Sequence, residues 1–187
     1  GMEGITGIIT KAKLKLINKK KRAASLLAFS NLQELIDTVA KFKLDKEVSM
    51  LEFLDKLTSS FLGLKDVYHL LVEFESERGE LKGKEYEQVL RLRDNLYPVL
   101  AKLGYSIIED PKLMLSKFQE LAEFLEEFKV PYYGHLGSGI IHPVFQQGQE
   151  KNIEELMKYV RKLHGQVSGE HGIGLRKKQF LEPNERK

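Results

Sequence analysis

Val130-Pro131-Tyr132-Tyr133-Gly134-His135-Leu136-Gly137-Ser138-Gly139-Ile140-Ile141-His142 and Ser168-Gly169-Glu170-His171-Gly172-Ile173-Gly174 bracket a strongly periodic segment running from Asn152 to Gly165. Val130 to Tyr133 reads as a strand that leads into the first histidine cluster. Asn152 with Glu155 supplies a helix-start signature, Ile153, Leu156, Met157, Val160 and Leu163 keep helical spacing, and Gly165 closes the helix. Four of the five histidines lie between Pro131 and Leu175. Each glycine costs backbone entropy and each buried imidazole needs hydrogen-bond partners, so their density here argues for a site rather than ordinary core.

Upstream, the same alternation of strands and helices continues. Residues 3 to 17 alternate in part, with Ile5, Ile9, Leu14 and Leu16 apolar, and predict a glycine-kinked strand. A second strand is expected from Ser25 to Phe29, and Asn31 with Glu34 caps a helix carrying Leu32, Leu35, Ile36 and Val39. Val48 to Asp55 suits either a capping pattern at Ser49 and Glu52 or a strand; strand followed by a short helix ending near Gly63 is the reading adopted. Val67 to Glu75 alternates as a half-buried strand, which puts His69 on its wetter face as a surface histidine. From Glu85 a helical stripe runs to Gly104 with a kink or break at Pro98. Arg93 lies on or beside that stripe, either snorkelling to water or placed to clamp a carboxylate through paired hydrogen bonds. Tyr105 to Ile108 is a short strand, and Ser116 with Gln119 heads an amphipathic helix through Phe118, Leu121, Ala122, Leu125 and Phe128. The sum is an α+β fold, a largely antiparallel sheet with helices packed on one face.

Composition bounds the function. The chain has 187 residues, 42% of them hydrophobic and 30% charged, with a net charge of +3, which suits a globular domain. No apolar run nears the roughly 18 residues of a membrane span, so no membrane segment is expected. The basic run Lys19-Lys20-Lys21-Arg22 has no aromatic residues interleaved, so it reads as a solvated loop, with no nucleic-acid partner. Cysteine is absent, which removes disulfides and thiolate metal sites and fits a cytoplasmic location.

Two chemistries suit the clusters. His135 and His142 are seven residues apart, and strand alternation alone would put them on opposite faces unless Gly137 and Gly139 bend the chain. If they converge, two imidazoles with Glu170 make a ligand set for a divalent ion such as Zn²⁺ or Mn²⁺, with positions left for water or substrate. Otherwise the clusters are glycine-rich turns whose histidines bond backbone carbonyls. His164, at a helix C-terminus, belongs to that second kind.

The opening Glu3-Gly4-Ile5-Thr6-Gly7-Ile8-Ile9-Thr10, the string Leu51-Glu52-Phe53-Leu54-Asp55, the Gly-His-x-Gly-x-Gly-x-x-His cluster at 134–142 and Ser168 to Gly174 together resemble, in order and over nearly the whole chain, the C-terminal cap domain of FAD-linked oxidases. The glycolate oxidase D subunit, D-lactate dehydrogenase and D-2-hydroxyglutarate dehydrogenase are the relatives. The resemblance implies a ferredoxin-like cap over residues 21–187 with a shortened tail. It also implies that residues 1–20 are the end and linker of a missing FAD-binding domain, so that the cap alone should not catalyse. By the same resemblance His135, His142 and Glu170 match the family's metal ligands, His171 the base that takes the substrate hydroxyl proton, and Arg93 the grip on the substrate carboxylate. FAD, held mainly by the absent domain, and a divalent metal are the implied cofactors. A small 2-hydroxy acid is the implied substrate, and an electron-acceptor or iron-sulfur subunit the implied further partner.

The sequence departs from the family pattern at several positions. Leu90 replaces a tryptophan three residues before Arg93, Ser138 stands where relatives usually carry Asp, Ile140 where they carry Asn, and Ile108 where some place a substrate-binding Lys. An amide or ammonium that hydrogen-bonds a substrate is worth roughly 0.5–3 kcal/mol, so a pocket without them points to a substrate smaller or more apolar than 2-hydroxyglutarate. A stand-alone metal-binding or regulatory domain, and an oxidase of another alcohol class, are the alternatives.

Overall fold

In the computed structural model, which describes residues 7–181 apart from 17 and 19, six strands and seven α-helices alternate along the chain. They are β1 (Ala23–Phe29), α1 (Leu32–Phe42), β2 (Val48–Leu54), α2 (Lys56–Phe61), β3 (Tyr68–Phe74), α3 (Gly83–Asp94), α4 (Leu96–Lys102) and β4 (Tyr105–Ile108), then α5 (Phe118–Phe128), β5 (Tyr132–His135), β6 (Ile140–Gln146), α6 (Glu150–Lys162) and α7 (Gly174–Lys177). The strands form one antiparallel sheet in the order β1-β3-β2-β5-β6-β4, so the expected α+β architecture is present. None of the described helices is long and apolar enough to cross a membrane.

The helices with the strongest apolar stripes cover one face. Leu35 and Val39 of α1, Leu121 and Leu125 of α5, and Ile153, Leu156, Met157 and Val160 of α6 pack with Phe53, Leu70, Val72, Tyr132, Ile141 and Phe145 in one continuous core. The second face is covered in two patches. Val89 of α3 lies with Ala24 and Leu71, while Leu96 and Leu100 of α4 lie with Leu54, Tyr133 and Val144. Glu52, His135 and His142 share this face by register, because Glu52 is the cross-strand partner of His135 and Tyr133 that of His142.

That second layer overturns the half-buried reading of β3. All seven of its residues are buried, and His69, 5% exposed, bonds Ser59 Oγ through Nδ1 at 2.9 Å instead of facing water. Glu73 is likewise buried and bonded to Ser49, Tyr86 and Arg22. Alternation in the sequence marked the strand correctly; the polar residues sit inside because neighbouring elements supply partners.

Several boundaries moved for local reasons. Residues 7–16 form no strand and leave Ile8, Ile9, Leu14 and Leu16 exposed; the rest of that expected strand, residues 3–6 and 17, lies outside the described residues. The stripe after Glu85 breaks at Asn95, whose side chain donates to the Arg91 carbonyl at 2.7 Å; Pro98 falls in the first turn of α4, where its missing N–H costs nothing. A 3-10 turn at Leu115–Lys117 precedes α5, so Ser116 is not its cap. Helix α6 starts at Glu150, ahead of the expected Asn152, and ends with His164 at φ 59° as the left-handed residue, its side chain exposed. Asn31 does cap α1, accepting from the N–H groups of Gln33 and Glu34.

Candidate metal and substrate site

The first histidine cluster is a β-hairpin. β5 and β6 pair around a turn at 136–139, so His142 lies opposite Tyr133, two residues from His135 and on the same face. Chain reversal, rather than a bend in one strand, brings the imidazoles together, with ring centroids 5.0 Å apart. The glycines are required by space and by backbone angle. A Cβ at Gly134 would lie 2.3 Å from the Ile140 carbonyl oxygen, and one at Gly139, where φ is +78°, would lie 2.1 Å from that of Leu113. Asp55 fixes the start of the hairpin by capping α2 and accepting the Tyr132 N–H at 3.0 Å.

The second cluster is a loop gathered on Asp110. One of its carboxylate oxygens accepts from the N–H groups of Gly169, Glu170 and His171 at 3.0, 2.7 and 2.7 Å and from Ser168 Oγ at 2.8 Å. Its other oxygen pairs with the buried Lys177, which also meets Glu109 at 3.0 Å. Burial pushes the Asp110 carboxyl up, but the hydrogen bonds from Lys177, Glu170, His171 and Ser168 together outweigh it and hold the group at about 2.

The two clusters meet on Glu170. Its Oε1 lies 3.0 Å from His142 Nε2, 3.7 Å from His135 Nε2 and 3.4 Å from His171 Nε2. The Nδ1 atoms of His135 and His142 are committed elsewhere. His135 Nδ1 is 2.7 and 2.8 Å from the two Glu52 oxygens, and His142 Nδ1 is 3.2 Å from the Glu109 carbonyl oxygen. An ionised carboxylate and a carbonyl only accept, so both Nδ1 atoms donate, and both Nε2 atoms face Glu170. The hydrogen bond to Glu52 raises the His135 pKa, whereas burial, followed by the His135 charge, lowers that of His142.

This donor set fits a divalent cation. Donor atoms of His135, His142 and Glu170 all lie within 4.8 Å of one another. Bonds of about 2.0–2.1 Å in a tetrahedral zinc site hold donors roughly 3.4 Å apart, inside the range seen here. His171, exposed, stacks on His142 at 5.2 Å. Arg93 reaches Glu52 at 3.4 Å and Asp94 at 3.3 Å, and lines with His135, His142, Glu170 and His171 a cavity of about 270 Å³ whose other walls include Leu96, Ile108 and Tyr133.

All five residues singled out from the sequence therefore border one cavity, and His164 is not among those lining it. Of the four departures only Ile108 lines this cavity. Ser138 is exposed and bonds the His135 carbonyl, and Ile140 is buried against Gly169. Sequence reasoning did not assign Glu52, Asp110 or Lys177 to the site. A lone acid in the apolar run Met50-Leu51-Glu52-Phe53-Leu54 was the available signal for the first, and nothing local marked Lys177.

A family model described as FAD linked oxidases, C-terminal domain, matches residues 18–186. The chain belongs to this family. The FAD-linked oxidase domain is 25% identical to a D-lactate dehydrogenase of Archaeoglobus fulgidus over 97% of this chain and 50% of that protein. It is 26% identical to the glycolate oxidase subunit GlcD of Bacillus subtilis, over 97% of the chain and 49% of the relative. A D-2-hydroxyglutarate dehydrogenase of Stutzerimonas stutzeri is 20% identical over 97% and 51%. The chain spans about half the length of these relatives.

Proposed function

We propose that this chain is the metal- and substrate-binding cap of an FAD-dependent 2-hydroxy-acid dehydrogenase of glycolate or D-lactate type, working with a flavin-binding domain outside residues 21–187. The observation that carries the reading is the convergence of His135 Nε2, His142 Nε2 and Glu170 on one cavity that also holds an arginine and a further histidine. When bound, a divalent ion supplies Lewis acidity to a substrate hydroxyl, and FAD supplies the two-electron acceptor. His135, His142 and Glu170 hold that ion. Arg93 grips the substrate carboxylate, exchanging its bond to Glu52 for a paired one. His171 Nε2 accepts the hydroxyl proton as the α-hydrogen leaves with its electron pair. The cavity has one arginine and apolar walls at Leu96 and Ile108, which suits a monocarboxylate with a short side chain.

Calorimetry with Zn²⁺ and Mn²⁺ tests the reading. One equivalent should bind to the native chain, and His142→Ala and Glu170→Ala should each abolish it. Binding that ignores both substitutions refutes the ligand assignment. In the full-length enzyme, D-lactate or glycolate turnover should disappear in His171→Ala. Turnover of a different alcohol class in its place would favour the alternative that Ile108 suggests.

A further inference from the structure

Glu52 is a buried carboxylate in the middle of a sheet, 4% exposed, directly opposite His135 across the β2–β5 pair. At such a position a carboxylate is costly to desolvate unless its oxygens are occupied. Here both oxygens lie within 2.8 Å of His135 Nδ1, and Oε1 also meets Arg93 Nη2 at 3.4 Å. His142 has a different partner for the same nitrogen, the Glu109 carbonyl, which is part of the backbone and cannot be removed by substitution. The two imidazoles therefore take their tautomers from unlike sources, and only that of His135 depends on a side chain.

We infer that Glu52 is a positioning residue that fixes His135 with Nδ1–H turned away from, and the Nε2 lone pair turned toward, the point shared with His142 and Glu170. This rests on the proposed metal site and deepens it. A free neutral imidazole favours the opposite tautomer, with the proton on Nε2, and in that form His135 would present a proton where a ligand lone pair is needed. The carboxylate also raises the electron density at Nε2 through the hydrogen bond, as second partners of metal-bound histidines do. Arg93 supports the arrangement from the other side, holding Oε1 with a cation at 3.4 Å.

The test uses the whole chain with Zn²⁺ as the probe, in native, Glu52→Gln and Glu52→Met forms. Gln keeps the shape and one acceptor but loses the charge; Met removes the acceptor. Zn²⁺ affinity is expected to fall about tenfold in the Gln form and approach 100-fold in the Met form, the range found for second partners of metal-bound histidines. In parallel, ¹⁵N imidazole shifts of the metal-free proteins read the tautomer directly. His135 should carry its proton on Nδ1 in the native chain and move toward Nε2–H in the Met form. A role confined to stability would lower the thermal midpoint and leave the His135 tautomer of the folded protein where it was. Zn²⁺ affinity within threefold of native in the folded Met form, or an unchanged His135 tautomer there, overturns the inference. If the native chain binds no Zn²⁺, the metal reading fails by itself, and the imidazole shifts still decide what Glu52 does to His135.

Discussion

Replacing Asp110 by Asn should loosen the Glu170-His171 loop without changing the size of the side chain. In the native protein one Asp110 oxygen takes four donors, from Ser168, Gly169, Glu170 and His171, and the other takes the Lys177 ammonium. An amide cannot serve both sides. With its oxygen toward the loop, its NH₂ faces Lys177; turned round, the NH₂ faces three backbone N–H groups. In the better orientation the four loop bonds fall from charge-assisted to neutral strength, a loss of about 1 kcal/mol each, since bonds to charged groups are worth about 1.5–3 and neutral ones about 0.5–1.5 kcal/mol. Lys177 loses one of its two carboxylates but keeps Glu109 at 3.0 Å, so the full 3–5 kcal/mol of a broken buried pair is not reached. Together these give a destabilisation of about 4 kcal/mol or more. Urea unfolding at pH 7 measures it, and amide hydrogen exchange should show Gly169, Glu170 and His171 losing protection more than β3 does. Because Glu170 sits on this loop, Zn²⁺ affinity should drop as well. A loss below about 0.5 kcal/mol with loop protection intact would refute the argument that Asp110 holds the second cluster in place.

Two further outcomes follow from single positions. Burial, followed by the Lys65 charge, lowers the His69 pKa from its ordinary value of 6.5. The fold therefore favours the neutral ring: its stabilisation is present above 6.5 and lost as pH falls below it, so the stability gap between native and His69→Gln should narrow between pH 7.5 and 5.5 in urea titrations, and a constant gap would contradict it. Gly139→Ala combines a left-handed backbone with a Cβ 2.1 Å from the Leu113 carbonyl oxygen, and should cost about 2–4 kcal/mol by thermal or urea unfolding.

Much of the fold was legible because its signals are local. Helices α1 and α6 and strand β3 announce themselves by period, and the Gly-His-x-Gly-x-Gly-x-x-His spacing marked a site whatever its geometry. The errors came where a third element decides. His69 looked like a surface residue because alternation cannot tell water from a second helical layer. Pro98 looked like a break because sequence alone does not show that a new helix has just begun at Leu96. For His135 and His142 alternation alone pointed to opposite faces, and the turn at 136–139, which reverses the chain, brings them together.

The candidate site was legible as a set of residues that border one cavity and not as a mechanism of assembly, for a physical reason. Each donor is aimed by a group far along the chain: His135 by Glu52, 83 residues away, His142 by the Glu109 carbonyl, 33 away, and the Glu170 loop by Asp110, 60 away. None of these partners has a spacing that sequence periodicity could expose. Their joint effect is that the three donors converge only when β2, the β5–β6 hairpin and the segment after β4 are all docked. Binding energy for a cation at that point is then available to the folded chain and not to the unfolded one, so metal should raise the unfolding midpoint in proportion to the logarithm of its concentration above Kd. The same long-range wiring explains why substitutions at Glu52 and Asp110, outside the ligand set itself, are expected to weaken it.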